Sequence, residues 1–548
     1  MTNLKPDSQS SGDPAVMLTV KSPGQTLLLP VDADTSVRMA LDTTELRVRA
    51  ACGGLGTCGA CLIQTLTGDF NPPTLAERQK IPAEELAIGM RLACQLRARR
   101  PGELYLENPA PSSEWKSLDA AGLYRTGDGN SAVDQHVYGV AVDLGTTHIR
   151  LSLWNRQTGR RIASRYSINP QVAHGADVLT RLDADRLADS ETNAICQQAR
   201  KAIIGGIRDI LSRDMGEVST VLAEIGRVLI VGNTAMLILV CGNSGDSLYR
   251  PESWQQAIAC HPSDLDAWRL AWRTPHADID IAQPLAGFIG SDLLADLLAT
   301  AITEQPQPML LADFGTNTEI ALWDGHTLWA SSVPGGPAFE GVGMRNGMTA
   351  ESGAICRVTR ADDRWELQTL GGVPARGYCA SGFIDTIALL LDEKLLKPSG
   401  RFAEPLPAGG YCLDAANPRT AIFGSDIDVF QRAKASTAAA MTQLLILAGL
   451  TVNDLHTLWI CGSFGQYLDL NSAFRVGLLP SVDPSRVRLL ANASLAGCEK
   501  LLLDPMGEAL LNAIIDSARV VNLGGVYEYE ARFIDHLRLQ PVPTSERE

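Results

Sequence analysis

Val137-Tyr-Gly-Val-Ala-Val-Asp143-Leu-Gly-Thr-Thr147 is an apolar run that ends in an aspartate, a glycine and two threonines. The run reads as a strand, and the Asp-x-Gly-Thr-Thr stretch reads as a turn into a second strand that ends Leu153-Trp154-Asn155. The element recurs further along the chain. Met309 to Ala312 is again apolar, Asp313-Phe-Gly-Thr-Asn317 follows, and the chain continues through Ile320 to Leu322 into Trp323-Asp324-Gly325. One strand-turn-strand unit is used twice.

Such a turn places a carboxylate at a strand end and aims the amides of Gly and Thr at one point. A nest of this kind cradles phosphate while the carboxylate holds Mg2+, directly or through water. A single copy is also an ordinary hairpin; two copies facing across a cleft are a much stronger signal. A third element fits beside them: Leu458 to Cys461 is apolar and runs into Gly462-Ser-Phe-Gly465, where bare backbone admits close approach. In this order the three elements resemble the phosphate 1, phosphate 2 and adenosine motifs of the actin and sugar kinase superfamily, whose two ribonuclease H-like lobes clamp ATP. The resemblance implies that Asp143, Gly145, Thr146 and Thr147 take the first phosphate role and Asp313, Gly315, Thr316 and Asn317 the second. It puts Gly462 and Gly465 by the adenosine and makes Asp313 or Glu319 the group that positions water.

The N-terminal part carries different chemistry. Cys52, Cys58, Cys61 and Cys94 form a C-x5-C-x2-C…C array in a loop that holds Gly53, Gly54, Gly56 and Gly59. Four thiolates suit the two irons of a [2Fe-2S] cluster, and small loop residues let backbone N–H groups reach the sulfurs. A zinc knuckle is the competing structural reading, but it normally shows two close C-x2-C pairs. Gly54-Leu-Gly-Thr-Cys-Gly59 also matches G-x-G-x-x-G, yet it lies between cluster cysteines with no βαβ unit after it. Strands over Val16–Val20, Thr26–Val31 and Leu62–Thr67, helical turns over Val37–Leu41 and Thr74–Gln79, and apolar runs at Arg91–Leu96 and Leu104–Leu106 predict a small α+β unit. With the cysteine spacing, it resembles the β-grasp fold of [2Fe-2S] ferredoxins, nearer the adrenodoxin-type branch.

The expected organisation is therefore a β-grasp domain over 15–107, a linker over 108–136 and an α/β ATPase of two lobes over 137–548. As free coil the Pro-, Ser- and Gly-rich linker would span roughly 30 Å; alternatively Trp115, Leu118, Leu123 and Tyr124 pin it to the next domain. The segments Val231–Met236, Gly335–Gly341, Ser381–Asp385, Asp426–Lys434 and Gly477–Pro480 resemble the reductive activators of corrinoid proteins over nearly the whole chain. Two departures stand out: Cys379-Ala380 has alanine where glycine is expected, and the short stretch after the linker implies a separate middle domain that is reduced or absent.

That resemblance implies one-electron reduction of Co(II) to Co(I) on a corrinoid methyltransfer partner at the expense of ATP, with an upstream electron donor and a homodimer through the ATPase half. A [2Fe-2S] centre of this kind lies near about −400 mV and Co(I) corrinoids lower, so the transfer is uphill and needs ATP. The rival readings are a small-molecule kinase with a fused redox domain, for which no separate acceptor-activating base is found, and a ferredoxin-like electron carrier with a regulatory ATPase. Dimer-bridging two-cysteine activators fit less well, because all four cysteines here lie in one N-terminal domain.

Composition agrees with this. The 548 residues carry a formal charge of −15, which argues against nucleic acid or an anionic membrane as main partner. No apolar leader precedes Ala15, and Ala435 to Val452 reads as a buried core helix rather than a span, so a cytoplasmic protein is expected. The other eight of the 12 cysteines are dispersed and read as small buried hydrophobes. Three smaller questions stay open. His174 faces a ligand or is a loop histidine. Ser331, Ser332 and the Gly335–Gly341 loop reach a partner or pack between lobes, and Glu340 touches Mg-ATP or braces its lobe. Asn492-Ala-Ser494 is a glycosylation sequon in form only.

Overall fold

The computed structural model describes residues 16–109, 115–118 and 136–543, apart from 33–34, 42–43, 45, 50–51, 53, 55, 176, 188–193, 216–217, 362–363, 408 and 463–466. Gly53 and Gly465 of the expected sites, Leu123 and Tyr124 of the expected anchors, and most of the linker lie outside the described residues. The chain forms two compact units, Met1–Ser112 with Ala173–Gly175, and Ser113–Val172 with Ala176–Glu548.

In the first unit β1 (Val16–Ser22) and β2 (Gln25–Val31) make an antiparallel hairpin. Alternation sends Leu18 and Val20 inward, where both are fully buried. β3 (Leu62–Thr67), β4 (Met90–Leu92) and β5 (Gly102–Tyr105) complete a sheet of order β2-β1-β5-β3-β4, with β1 parallel to β5. The helix Val37–Leu41 lays Val37 and Leu41 on this sheet, against Ile63, Leu92, Leu96 and Leu104. Each such side chain contributes about 1.5–3 kcal/mol on burial. The second expected helix is Leu75–Lys80, started by a capping box in which Thr74 accepts from the Glu77 amide and the Glu77 carboxylate accepts from the Thr74 amide.

The repeated sequence element becomes a repeated sheet. β7 (Tyr138–Leu144) pairs antiparallel with β8 (His148–Asn155), which pairs with β9 (Arg160–Ile168), while β10 (Ile225–Gly232) and β11 (Asp278–Ile281) continue in parallel on the other side. β12 (Met309–Phe314), β13 (Thr318–Trp323) and β14 (Leu328–Val333) form the same antiparallel meander, and Thr457–Cys461 and Val487–Leu490 add in parallel beside β12. All six residues of β12 are buried, as for a central strand covered on both faces. The edge strand β6 (Lys116–Ser117) pairs with β9, and the Leu118 amide donates to Ser164 O. Trp115 and Leu118 are therefore anchors on the first lobe, so the 30 Å coil figure does not describe the whole linker.

The expected core helix starts earlier and stops sooner than the sequence predicted, spanning Gly424–Leu447. Its end is set by Gly449, which takes φ 70°, and by the Leu450 amide, which turns back to Leu445 O at 2.8 Å. Among the described residues no helix is long and apolar enough to cross a membrane.

Candidate nucleotide cleft and cysteine centre

The two aspartate turns meet between the lobes of the second unit. Asp143 ends β7 and Asp313 ends β12, and both line one cavity of about 80 Å³ with Thr146, Thr147, Thr316, Asn317, Glu319 and Gly462. The sequence expectation for the glycines needs correction. The Gly145 amide donates to His148 O and the Gly315 amide to Asn317 O, each at 3.0 Å, so both amides close their own hairpins, while both residues line the cavity. The threonines of both turns line the cavity with them. Gly145 remains sterically required, because a Cβ there would lie 2.7 Å from His148 O.

Contact across the cleft is direct. Thr147 Oγ1 lies 3.1 Å from Thr316 Oγ1 and donates to Glu340 Oε1 at 2.8 Å, joining the first lobe to the second. Glu340 thus braces the two lobes together. Its position follows from Gly336, where a Cβ would come within 2.0 Å of Gly315 O; only glycine lets this loop lie on the second turn. Ser331 donates inward to Val521 O and Ser332 donates to Glu319 Oε1 at 3.2 Å, so both pack within the lobe. The cavity, at about 80 Å³, is smaller than the roughly 300–1,000 Å³ of a typical ligand pocket. Glu340→Ala is accordingly expected to speed amide exchange at the 145–147 and 315–317 turns in nucleotide-free protein by about tenfold or more, measured by hydrogen–deuterium exchange.

The charge of the cleft is one-sided. Among the described residues lining it, Asp143, Asp292, Asp313, Glu319 and Glu340 are carboxylates, and Arg150, whose Nη1 donates to Asp143 Oδ2 at 3.1 Å, is the single fixed cation. Burial pushes the Asp292 carboxyl up to about 7 and that of Asp313 to about 6, and it raises Glu319 as well, each further shifted by neighbouring charges. Asp313 Oδ1 is buried, and the Asp313 carboxylate accepts a hydrogen bond from the Asp296 carboxyl, which burial keeps protonated. Gly462, at φ 84°, presses its Cα toward that oxygen; a Cβ would be 2.6 Å away.

Sequence reasoning missed several of these groups. Asp292 and Asp296 sit four apart on the otherwise apolar helix Ser291–Thr300, a spacing that puts both carboxyls on one face and was legible. Ser494 donates to Asp296 Oδ1 at 3.0 Å, and Asn492 and Ser494 line the cleft, so the sequon-like triplet belongs to the site. Arg150 carried no signal of its own, being one more charge on a strand.

The four N-terminal cysteines fall into two pairs. Cys61 Sγ lies 3.4 Å from Cys94 Sγ, and Cys58 donates to Cys52, whose thiol is held down to about 3 mainly by that bond. Cys94 is lowered to about 7, first by the hydrogen bond from Cys61. One thiolate in each pair is thus easily formed, as metal ligation requires. Among the described residues no three His, Cys, Asp or Glu side chains close on a single ion. Two pairs of sulfurs suit two irons with two thiolates each, and they suit a single tetrahedral ion less well. Gly54, Gly56 and Gly59 take φ of 104°, 78° and 73°, which lets the loop wrap closely. Cys58 is half-buried while Cys52, Cys61 and Cys94 are buried, leaving one edge toward solvent.

A β-grasp unit with paired cysteines, followed by two ribonuclease H-like lobes, defines an iron–sulfur protein of the actin and sugar kinase (ASKHA) class. Residues 20–99 match the family described as 2Fe-2S iron-sulfur cluster binding domain, residues 138–305 the RACo middle region, and residues 307–546 the C-terminal domain of RACo, the ASKHA domain. The chain belongs to the RACo family. The middle region, expected to be reduced or absent, is matched in the residues that fold as the first lobe.

Among curated proteins the chain is 27% identical over 406 residues to the corrinoid activation enzyme RamQ of Eubacterium limosum, covering 70% of this chain and 67% of that protein. It is 27% identical over 416 residues to a Methanosarcina barkeri protein named [Co(II) methylated amine-specific corrinoid protein] reductase, covering 70% and 73%. A solved structure named reductive activator for corrinoid,iron-sulfur protein shares the fold at a TM-score of 0.63 and 23% identity, over 96% of this chain and 98% of that one.

Proposed function

We propose that this protein is an ATP-dependent reductive activator of a corrinoid protein, returning Co(II) to Co(I) with one electron. One observation carries the reading: a paired four-cysteine unit and a carboxylate-lined interlobe cleft occur in a single chain whose relatives are named as corrinoid activators. Cys52, Cys58, Cys61 and Cys94 would hold a [2Fe-2S] cluster, and when bound it supplies a one-electron carrier. The chain's own part is to furnish the thiolates, to keep water from three of them by burial and to leave the Cys58 edge for transfer.

In the large unit Asp143 and Asp313 would hold Mg2+, because five carboxylates and one arginine repel a bare triphosphate and accept it once a divalent cation is present. Thr147 and Thr316 would donate to phosphate oxygens once the contact with Glu340 opens, and Gly462, with Gly465 beyond the described residues, would lie on the adenosine side. Glu319, anchored by Ser332 through one oxygen, would position the attacking water, while the Asp313 carboxylate takes the cation. ATP binding parts and re-forms the Thr147–Thr316–Glu340 contact, and that movement is the means by which hydrolysis changes docking of the partner. A homodimer, an upstream reductant and a cytoplasmic setting complete the reading.

The test is anaerobic mixing of the reduced protein with a Co(II) corrinoid protein, following cobalt by its visible spectrum. Co(I) is expected with Mg-ATP and little without it. Equal Co(I) formation in both arms would favour a plain electron carrier, and phosphorylation of a small acceptor a kinase.

A further inference from the structure

The buried cysteine pair has two neighbours whose chemistry is that of a potential-setting shell. Gln95, next in sequence to Cys94, turns its side chain back: Nε2 donates to Gly54 O at 3.0 Å and points to Cys94 Sγ at 3.7 Å. A methyl on Gly56 would lie 3.1 Å from the same Nε2, so the amide is pressed against the cysteine loop. Arg38 comes from the other side. Its backbone amide donates to Ala93 O at 3.0 Å, beside Cys94, and its Nη1 would be 3.2 Å from a methyl on Gly54. The loop therefore lies between a neutral donor and a permanent positive charge.

Both groups act in one direction. An N–H donor and a nearby cation stabilise the more negative state, which for a thiolate-ligated centre is the one holding the extra electron. We propose that Gln95 and Arg38 are positioning residues that raise the reduction potential of the centre held by the four cysteines. This rests on the cluster assignment above. The centre is thereby made easier to fill from a low-potential reductant, while the onward step to the acceptor becomes steeper and more dependent on the nucleotide cleft.

The experiment is a redox titration of the full chain with dithionite, reading the paramagnetic signal of the reduced centre, for wild type, Arg38→Gln, Arg38→Lys and Gln95→Leu. At the ambient potential where wild type is half reduced, Arg38→Gln is expected to show a reduced-to-oxidised ratio roughly tenfold lower, a shift of ~59 mV for one electron. Gln95→Leu should move the same way by a smaller factor, and Arg38→Lys, which keeps the charge, should stay near wild type. A variant that loads less iron is read on its loaded fraction, since only reduced centres give the signal. Unmoved or raised potentials in Arg38→Gln and Gln95→Leu overturn the proposal. A wild-type chain that takes up no iron and sulfide overturns the cluster assignment instead, so the two failures are distinct.

Discussion

Asp313→Asn is expected to lower Mg-ATP hydrolysis on the order of a hundredfold or more, and ATP-dependent cobalt reduction with it, while the iron–sulfur spectrum stays unchanged. Asparagine keeps the size of the side chain while it removes the charge and turns one acceptor oxygen into a donor. Asp313 lies at the end of β12 in a buried cleft, where burial raises its carboxyl to about 6, a hydrogen bond from Asp296 opposes the rise and the Asp143 charge adds to it. A buried carboxylate among other carboxylates is costly unless a cation or a protonated neighbour compensates its charge. Removing the charge leaves the triphosphate facing the remaining carboxylates with a weaker cation between them. Steady-state phosphate release checks this directly, and wild-type rates in the variant would remove Asp313 from the site. EDTA should have the same effect on the native protein, reversed by Mg2+.

Glu77→Leu is expected to destabilise the N-terminal unit by about 3–5 kcal/mol, a large part of the 5–15 kcal/mol that holds a typical domain. Glu77 is fully buried, and Arg91 donates to it twice, Nε to Oε1 at 2.8 Å and Nη2 to Oε2 at 3.0 Å. The Leu92 and Thr74 amides donate to the same carboxylate, tying the helix Leu75–Lys80 to the strand that leads to Cys94. Cutting one partner strands a guanidinium in the interior. The double variant Glu77→Leu with Arg91→Met should recover most of the loss, since two well-packed apolar chains leave no charge to solvate. Denaturant unfolding followed by the visible absorbance of the centre measures both. Acid acts through the same pair. Burial alone would push the Glu77 carboxyl up, but Arg91 and the two amides hold it below its usual value. Its contribution is therefore present above the ordinary carboxylate range and is lost as pH falls through the lowered one.

Much of this architecture was legible locally. The two Asp-x-Gly-Thr turns announced themselves because strand alternation and turn chemistry are properties of neighbouring residues, and β7, β8, β12 and β13 lie where the pattern put them. The cysteine array was legible for the same reason, its first three members falling within ten residues. The core helix was located, but its end depended on a left-handed glycine that a run of apolar residues does not reveal. The glycine amides of the two turns were misjudged, since whether an amide faces a cleft or closes its own hairpin depends on backbone geometry that composition leaves open.

Neighbouring residues alone specify the elements and their chemistry: paired aspartate turns, a four-thiol loop, and the order in which they follow. Which side chains meet is set by the folded chain. Thr147 and Glu340 are 193 residues apart and Asp296 and Ser494 198 apart, yet each pair is within hydrogen-bond distance. Gln95 and Arg38 flank the thiols although neither belongs to the cysteine pattern. The physical reason is that propensity and periodicity act over a few bonds. The field inside a cleft is summed over every charge that packing brings near it, and that sum exists only once the chain has closed.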